Sequence, residues 1–208
     1  MGSFFSNENE NENETKIEYI KEHELSGFAL LKRMDSNAIQ DDMECLIDKN
    51  IEIPKNIPFE ITWELLKKIR IDGRFDLFHR HPDMLKIYKE SVKKNKEIYA
   101  DYESKLLNEF FGISLFKDNE TGKLKANRDE LKNLGKKMCW TVNKFPYNWS
   151  KNIKHELLWC TQSLTKKEIK DEIKKNIPNN YKVIWWVNPM KYRSVPGLYH
   201  AQIISKKR

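Results

Sequence analysis

The apolar residues of this 208-residue chain change period partway along it, and that change constrains the fold more than any other feature. From Pro82 to Asn108, Leu85, Tyr88, Val92, Tyr99, Tyr102 and Leu106 recur at spacings that return to one face of a helix. Proline suits a first helical turn, so one helix is expected from Pro82, bent or broken at that length. A shorter core helix is expected near Thr62, with Trp63, Leu66 and Ile69 on one stripe. Beyond Met138 the large side chains instead come in short runs rich in β-branched, aromatic or leucine residues. Met138–Val142, Glu156–Cys160, Val183–Val187 and His200–Ile204 read as strands. Two more short helices announce their own ends. Asn127-x-x-Glu130 caps one that Gly135 stops, and Thr165-x-x-Glu168 is a capping box with Ile169 and Ile173 facing inward and Pro178 beyond. Lys117 to Lys123 reads as an exposed turn. Helices first and strands later define an α+β fold: N-terminal helices packed on an antiparallel or mixed sheet formed mainly by the C-terminal half.

Upstream, residues 7–14 repeat Asn-Glu with no apolar side chain, so they have nothing to bury. Residues 1–24 are therefore expected to form a disordered acidic tail and residues 25–208 a single domain, whose first apolar positions, Leu31 to Leu46, are loosely spaced for a helix or two. The net charge of +7 is uneven: the tail carries seven carboxylates against two lysines, whereas Phe145 onward carries thirteen Lys/Arg against four Asp/Glu. A basic face of this kind attracts phosphate-bearing partners, although lysine is also the solvated residue this chain uses everywhere.

No run of about 18 apolar residues exists, nor the basic-then-apolar start of a secretory signal, so no transmembrane segment is expected. Cys45, Cys139 and Cys160 are widely spaced with no C-x-x-C pair, which fits a reduced, cytoplasmic setting without a metal site. Met1-Gly2-Ser3-Phe4-Phe5-Ser6 fits the N-myristoylation acceptor, with Gly2 the acylated residue. One acyl chain followed by acidic residues would give only weak, peripheral membrane association.

Three stretches occur in order at sensible spacing: Leu77-Phe78-His79-Arg80-His81-Pro82 running on to Tyr88, Asn143-Lys144-Phe145-Pro146-Tyr147 leading to His155-Glu156-Leu157-Leu158-Trp159, and Ile184-Trp185-Trp186-Val187-Asn188-Pro189 leading to Ser194-Val195 and His200. Over about residues 59–208 they resemble the uncharacterised fungal and protist family typified by N-acetylglucosamine-induced proteins. The resemblance implies no activity, because that name records induction by a sugar. Members of the family often carry a histidine where this chain has Gln202.

The sharpest chemical pattern is Asn188-Pro189, Ser194-Val195 and His200-Ala201-Gln202. It looks like a degenerate histidine-triad or hexose-phosphate uridylyltransferase signature, although Leu198 stands where a leading His would be. Residues i and i+2 of a strand face the same way, so both side chains can meet one phosphate. In such a site His200 is the nucleophile, Gln202 a phosphate contact, and Asn188 and Ser194 further donors. His155 opens another strand and is a second catalytic candidate, while Trp186 is a stacking candidate for a ligand. Trp185 and Trp186 must point to opposite faces, so at most one belongs to the core unless a helix covers the other. The competing reading makes His200 an ordinary strand histidine held by a backbone carbonyl, with Gln202 paired across the sheet. Arg80 reads as an ion-pair partner for Asp76 or Asp83.

H-E-x-x-H, G-x-x-x-x-G-K, G-x-S-x-G and G-x-G-x-x-G are all absent, so no cofactor is called for. No nucleic-acid motif is present either, and nucleic acid is not expected as a partner. Two functions therefore stand: a binding or regulatory module without catalysis, and, as the alternative, a phosphate-directed enzyme on a nucleotide or sugar nucleotide (hydrolase or transferase) using His200. The enzyme reading takes a phosphate-bearing small molecule as its partner and calls for one concave site with basic walls around His155, His200, Gln202 and Asn188. The binding reading calls for no such cleft and a continuous exposed apolar or aromatic patch.

Overall fold

The computed structural model describes residues 51–55 and 58–208, which fall in one compact unit spanning Asp42–Arg208. The acidic tail, Gly2, Cys45 and the helical spacing around Leu31 lie outside the described residues.

Helix α1 (Trp63–Ile71) starts where Thr62 caps it, the Leu65 amide donating to Thr62 Oγ1 at 3.2 Å. Its stripe of Trp63, Leu65, Leu66 and Ile69 is buried. The expected long helix is two. Helix α2 (Pro82–Ile98) has Pro82 in its first turn, and helix α3 (Tyr102–Phe111) follows. The break has a local cause: Tyr99 turns extended and bridges Leu124, Ala100 N–H donates to the Leu124 carbonyl at 2.9 Å, and Asp101 then caps α3 through the Ser104 amide. Gly112 ends α3 in the left-handed conformation, φ 70°.

The expected exposed turn joins two short strands that periodicity missed, β1 (Leu115–Lys117) and β2 (Leu124–Ala126), paired antiparallel. Three residues are too few to show alternation. Helix α4 (Arg128–Leu134) is capped by Asn127, and Glu130 bonds Ser114 of the preceding loop, pinning this helix to the hairpin.

The main sheet comprises β3 (Met138–Val142), β4 (Ile153–Cys160), β5 (Tyr181–Val187) and β6 (Tyr199–Lys207) in the order β3-β4-β6-β5, every pair antiparallel. Helix α5 (Lys166–Asn176) links β4 to β5, and both halves of its expected capping box form. The last strand to be made thus inserts between β4 and β5. Trp185 and Trp186 point to opposite faces, yet both are buried, at 8% and 1% exposed. Both sheet faces are covered at that strand.

One sheet face carries Leu157 and Trp159 from β4, His200, Gln202 and Ile204 from β6, and Trp186 from β5, as the register Trp159↔His200, Leu157↔Gln202 and Trp186↔Gln202 requires. Two apolar clusters cover it. Helix α1 packs with Trp186 and Ile204, whereas Leu106 and Leu107 of α3 pack with Leu157, Trp159, Val195 and Leu198. The stretch of sheet between the clusters holds the polar residues His155, His200 and Gln202, all buried.

Candidate functional site

A buried polar side chain without partners is costly, so a polar stripe between two apolar clusters must be satisfied internally or face a cavity. Here it does both. A cavity of about 510 Å³ lies between this stripe and helices α2 and α3. Its floor is His200, Gln202 and Thr141, its walls include Tyr88, Tyr102 and Phe110, and Asn188, Ser194 and Tyr147 complete it from loops.

His200 is 4% exposed, and its ring lies 4.6 Å from that of Trp159. Its Nδ1 is 3.0 Å from the Leu198 carbonyl oxygen. A carbonyl only accepts, so Nδ1 carries the hydrogen and Nε2 keeps its lone pair. Burial lowers the pKa of His200 from the ordinary imidazole value, which keeps that lone pair unprotonated near neutrality.

His155 is not among the cavity-lining residues. It sits behind Gln202, with Nε2 2.7 Å from Gln202 Oε1. Trp149 Nε1 lies 3.0 Å from His155 Nδ1, and an indole N–H only donates. Nδ1 must therefore accept, Nε2 must donate to Gln202 Oε1, and the Gln202 amide nitrogen is left for other partners. The Asn143 amide nitrogen also approaches both ring nitrogens, at 3.3 and 3.2 Å. A neutral imidazole has one acceptor nitrogen, and the shorter contacts decide which. Burial pushes the His155 pKa down to about 3, so the ring stays neutral.

Trp186, a stacking candidate from the sequence, is placed in the core, its ring 5.0 Å from that of Phe78 and away from the cavity lining. Its indole N–H donates to Asn188 Oδ1 at 2.7 Å. Burial holds Tyr147 above the usual phenol pKa despite the opposing pulls of Arg80 and Asn188. Thr141 Oγ1 accepts the Trp159 indole N–H at 3.1 Å.

Sequence reasoning placed Arg80 in an ion pair, and the structure corrects this. Asp76 is held by Arg74, with contacts of 3.1 and 2.9 Å, and Asp83 lies beside His81. Arg80 Nε instead donates to the Phe145 carbonyl at 3.0 Å, and its guanidinium sits 4.2 Å from the Tyr88 ring centre and 5.5 Å from that of Tyr147. Among the described residues no carboxylate comes within ion-pair distance of it. At the rim, Lys144 pairs with Glu109 at 2.7 Å and Lys105 approaches the same carboxylate at 4.0 Å. Three cations against one carboxylate leave the lining positive.

The structure thus brings His200, Gln202, Asn188 and Ser194 onto one cavity and sets His155 and Trp186 behind it as supports. Arg80, Tyr88, Thr141 and Tyr147 were missed as lining residues. Arg80 and Tyr147 lay within the stretches that carry the family resemblance, which is the signal that would have flagged them. Among the described residues no group of His, Cys, Asp and Glu is arranged to hold a metal, and no helix is long and apolar enough to cross a membrane.

No curated protein matches the chain significantly. The solved crystal structure of HTC1 is similar over 71% of this chain and 85% of that one, at 18% identity and a TM-score of 0.48. Residues 62–206 match the family described as "Protein of unknown function (DUF3605)", and the chain belongs to that family.

Proposed function

We propose that this member of an uncharacterised family is a binding module for a small phosphate-bearing molecule, held in the cavity between the sheet and helices α2 and α3. The observation that carries the reading is Arg80. A half-buried guanidinium loses hydration, and it is retained where an anion restores the lost interaction. Arg80 has its Nε fixed by Phe145, its face against Tyr88 and no carboxylate partner among the described residues. Planar, forked donors of this kind suit the paired oxygens of a phosphate. The neighbouring Gln202 amide, the Tyr147 hydroxyl and the positive rim support the same class of ligand. The cavity volume falls in the range of sites that enclose a metabolite-sized molecule.

The test is a thermal-shift and calorimetric screen of nucleotides, sugar nucleotides and phosphosugars, N-acetylglucosamine phosphates included. Stabilisation of the parent that Arg80→Met loses supports the reading. A parent that no phosphate compound stabilises refutes it.

A second reading, a phosphate-directed enzyme, is favoured by the fixed tautomer of His200. With Nδ1–H on Leu198, the Nε2 lone pair is the nucleophilic one. It would form a bond to phosphorus while the bond to the leaving oxygen breaks, that oxygen taking the electron pair and a proton from water. A second water then hydrolyses the N–P bond. Turnover that His200→Asn abolishes while ligand binding survives distinguishes this from binding alone.

A further inference from the structure

Three indole N–H groups feed the polar residues of one cavity, Trp186 and Trp159 directly and Trp149 through His155. Trp149 donates to His155, which donates to Gln202 Oε1. Trp186 donates to Asn188 Oδ1, which leaves the Asn188 amide nitrogen as a donor. Trp159 donates to Thr141 Oγ1. An indole cannot accept, so the sense of each chain is fixed at its buried end. Read outward, two chains terminate in obligate donors, the Gln202 and Asn188 amide nitrogens, and the third in the Thr141 hydroxyl, all on the cavity lining. Arg80 beside them is a donor by constitution.

We propose that this wall selects an oxyanion end that carries no proton, such as the terminal dianion of a phosphate monoester, and rejects the same group when it bears an O–H. The inference rests on the phosphate-binding reading above and adds to it the protonation state of the ligand and the residues that impose it. A proton-bearing oxygen placed against the Gln202 and Asn188 amide nitrogens and Arg80 leaves donor facing donor, so discrimination comes from repulsion and not from reach. His155 and Trp149 act as positioning residues: neither lines the cavity, but together they decide which end of the Gln202 amide does. His200 Nε2 is the one imidazole acceptor on the lining, two residues before Gln202 on β6. The selection applies to an oxygen held by the Gln202 amide and Arg80 and not to one that reaches this nitrogen.

The test uses sodium sulfate and sodium phosphate as probes at about pH 8.5, where both are dianions of similar size that differ by the one proton on hydrogen phosphate. Calorimetry on the full chain should show sulfate bound about tenfold more tightly, the step that one unmatched hydrogen bond produces. In Trp149→Phe the indole N–H is gone, His155 can take its other tautomer, and the Gln202 amide can turn its oxygen to the cavity. The preference should then narrow to about threefold or less, with the fold checked by circular dichroism. Gln202→Glu, which replaces the donor by a carboxylate, should lose sulfate binding and gives an independent arm should Trp149→Phe not fold. Equal affinity of the parent for the two anions overturns the proposal, as does an undiminished preference in Trp149→Phe or parent-like sulfate binding by Gln202→Glu. If the parent binds neither anion, or if Arg80→Met binds both as the parent does, it is the phosphate-binding reading itself that fails.

Discussion

Replacing His155 by glutamine should flatten the dependence of stability on pH. The ring is buried and neutral, with its pKa lowered by desolvation to about 3 from an ordinary value of 6.5. Above about pH 6.5 the folded and unfolded chains both hold it uncharged, and it contributes no slope. As pH falls below that value the unfolded chain takes up a proton that the folded chain refuses, so stability is lost until the folded pKa is reached. The slope is one proton, about 1.4 kcal/mol per pH unit, or about 2 kcal/mol by pH 5 and near 5 kcal/mol by the end of the window. Carboxylates such as Glu168, held down to about 2 by Lys136 and the Thr165 cap, add their own losses at lower pH, so the parent profile alone does not isolate the effect. The difference between parent and His155→Gln does. Glutamine keeps a donor for Gln202 and an acceptor for Trp149 but does not titrate. Urea unfolding at intervals between pH 8 and pH 4 should show the two profiles parallel above about pH 6.5 and converging below it. Profiles that stay parallel down to pH 4 would show that the ring is not buried neutral, and the tautomer chain built on it would fall.

Other outcomes follow from single contacts. Arg80→Met should abolish binding of phosphate compounds while changing stability by no more than about 1 kcal/mol, since it removes only the guanidinium's contacts with the Tyr88 ring and the Phe145 carbonyl; a large loss of stability on urea titration would make it a structural residue. Gly197→Ala should weaken ligand binding, because an added Cβ would overlap the Glu103 carboxylate that accepts the Gly197 N–H and that Arg128 also holds at 3.2 Å. Because Arg128 holds that carboxylate, the loop carrying Ser194 and Val195 is expected to give way, at a cost of about 1 to 3 kcal/mol; unchanged affinity and melting temperature would mean that Glu103 swings aside instead. Thr165→Ala removes one half of the α5 capping box and should cost about 1 kcal/mol in chemical denaturation without touching ligand affinity. Leu107→Ala, at a fully buried position where α3 meets the sheet, should cost about 2 to 5 kcal/mol.

What the sequence disclosed depended on how far apart the interacting residues lie. The α5 cap was legible because Thr165 and Glu168 satisfy each other's first-turn groups within four residues. The β6 pair was legible because His200 and Gln202 share a face by strand geometry alone. A break in the long helix was expected from its length, but its place at Tyr99 was not legible, since it is made by a bridge to Leu124 in a hairpin whose strands are three residues long. Arg80 was misassigned for the same reason. Nearby carboxylates offered themselves as partners, whereas its real neighbours, Phe145 and Tyr147, lie some 65 residues on and reach it only when the sheet forms. His155 and Trp186 show a subtler limit: strand alternation put them on the site's face, but which residues line a cavity and which stand behind it is a matter of depth that pattern does not encode.

Diffraction from crystals soaked in selenate, a heavy-atom mimic of a proton-free oxyanion, examines the anion pocket most directly. Anomalous density should stand between the Arg80 guanidinium and the Gln202 amide. Full-occupancy selenate elsewhere on the surface with none in this cavity would contradict the account.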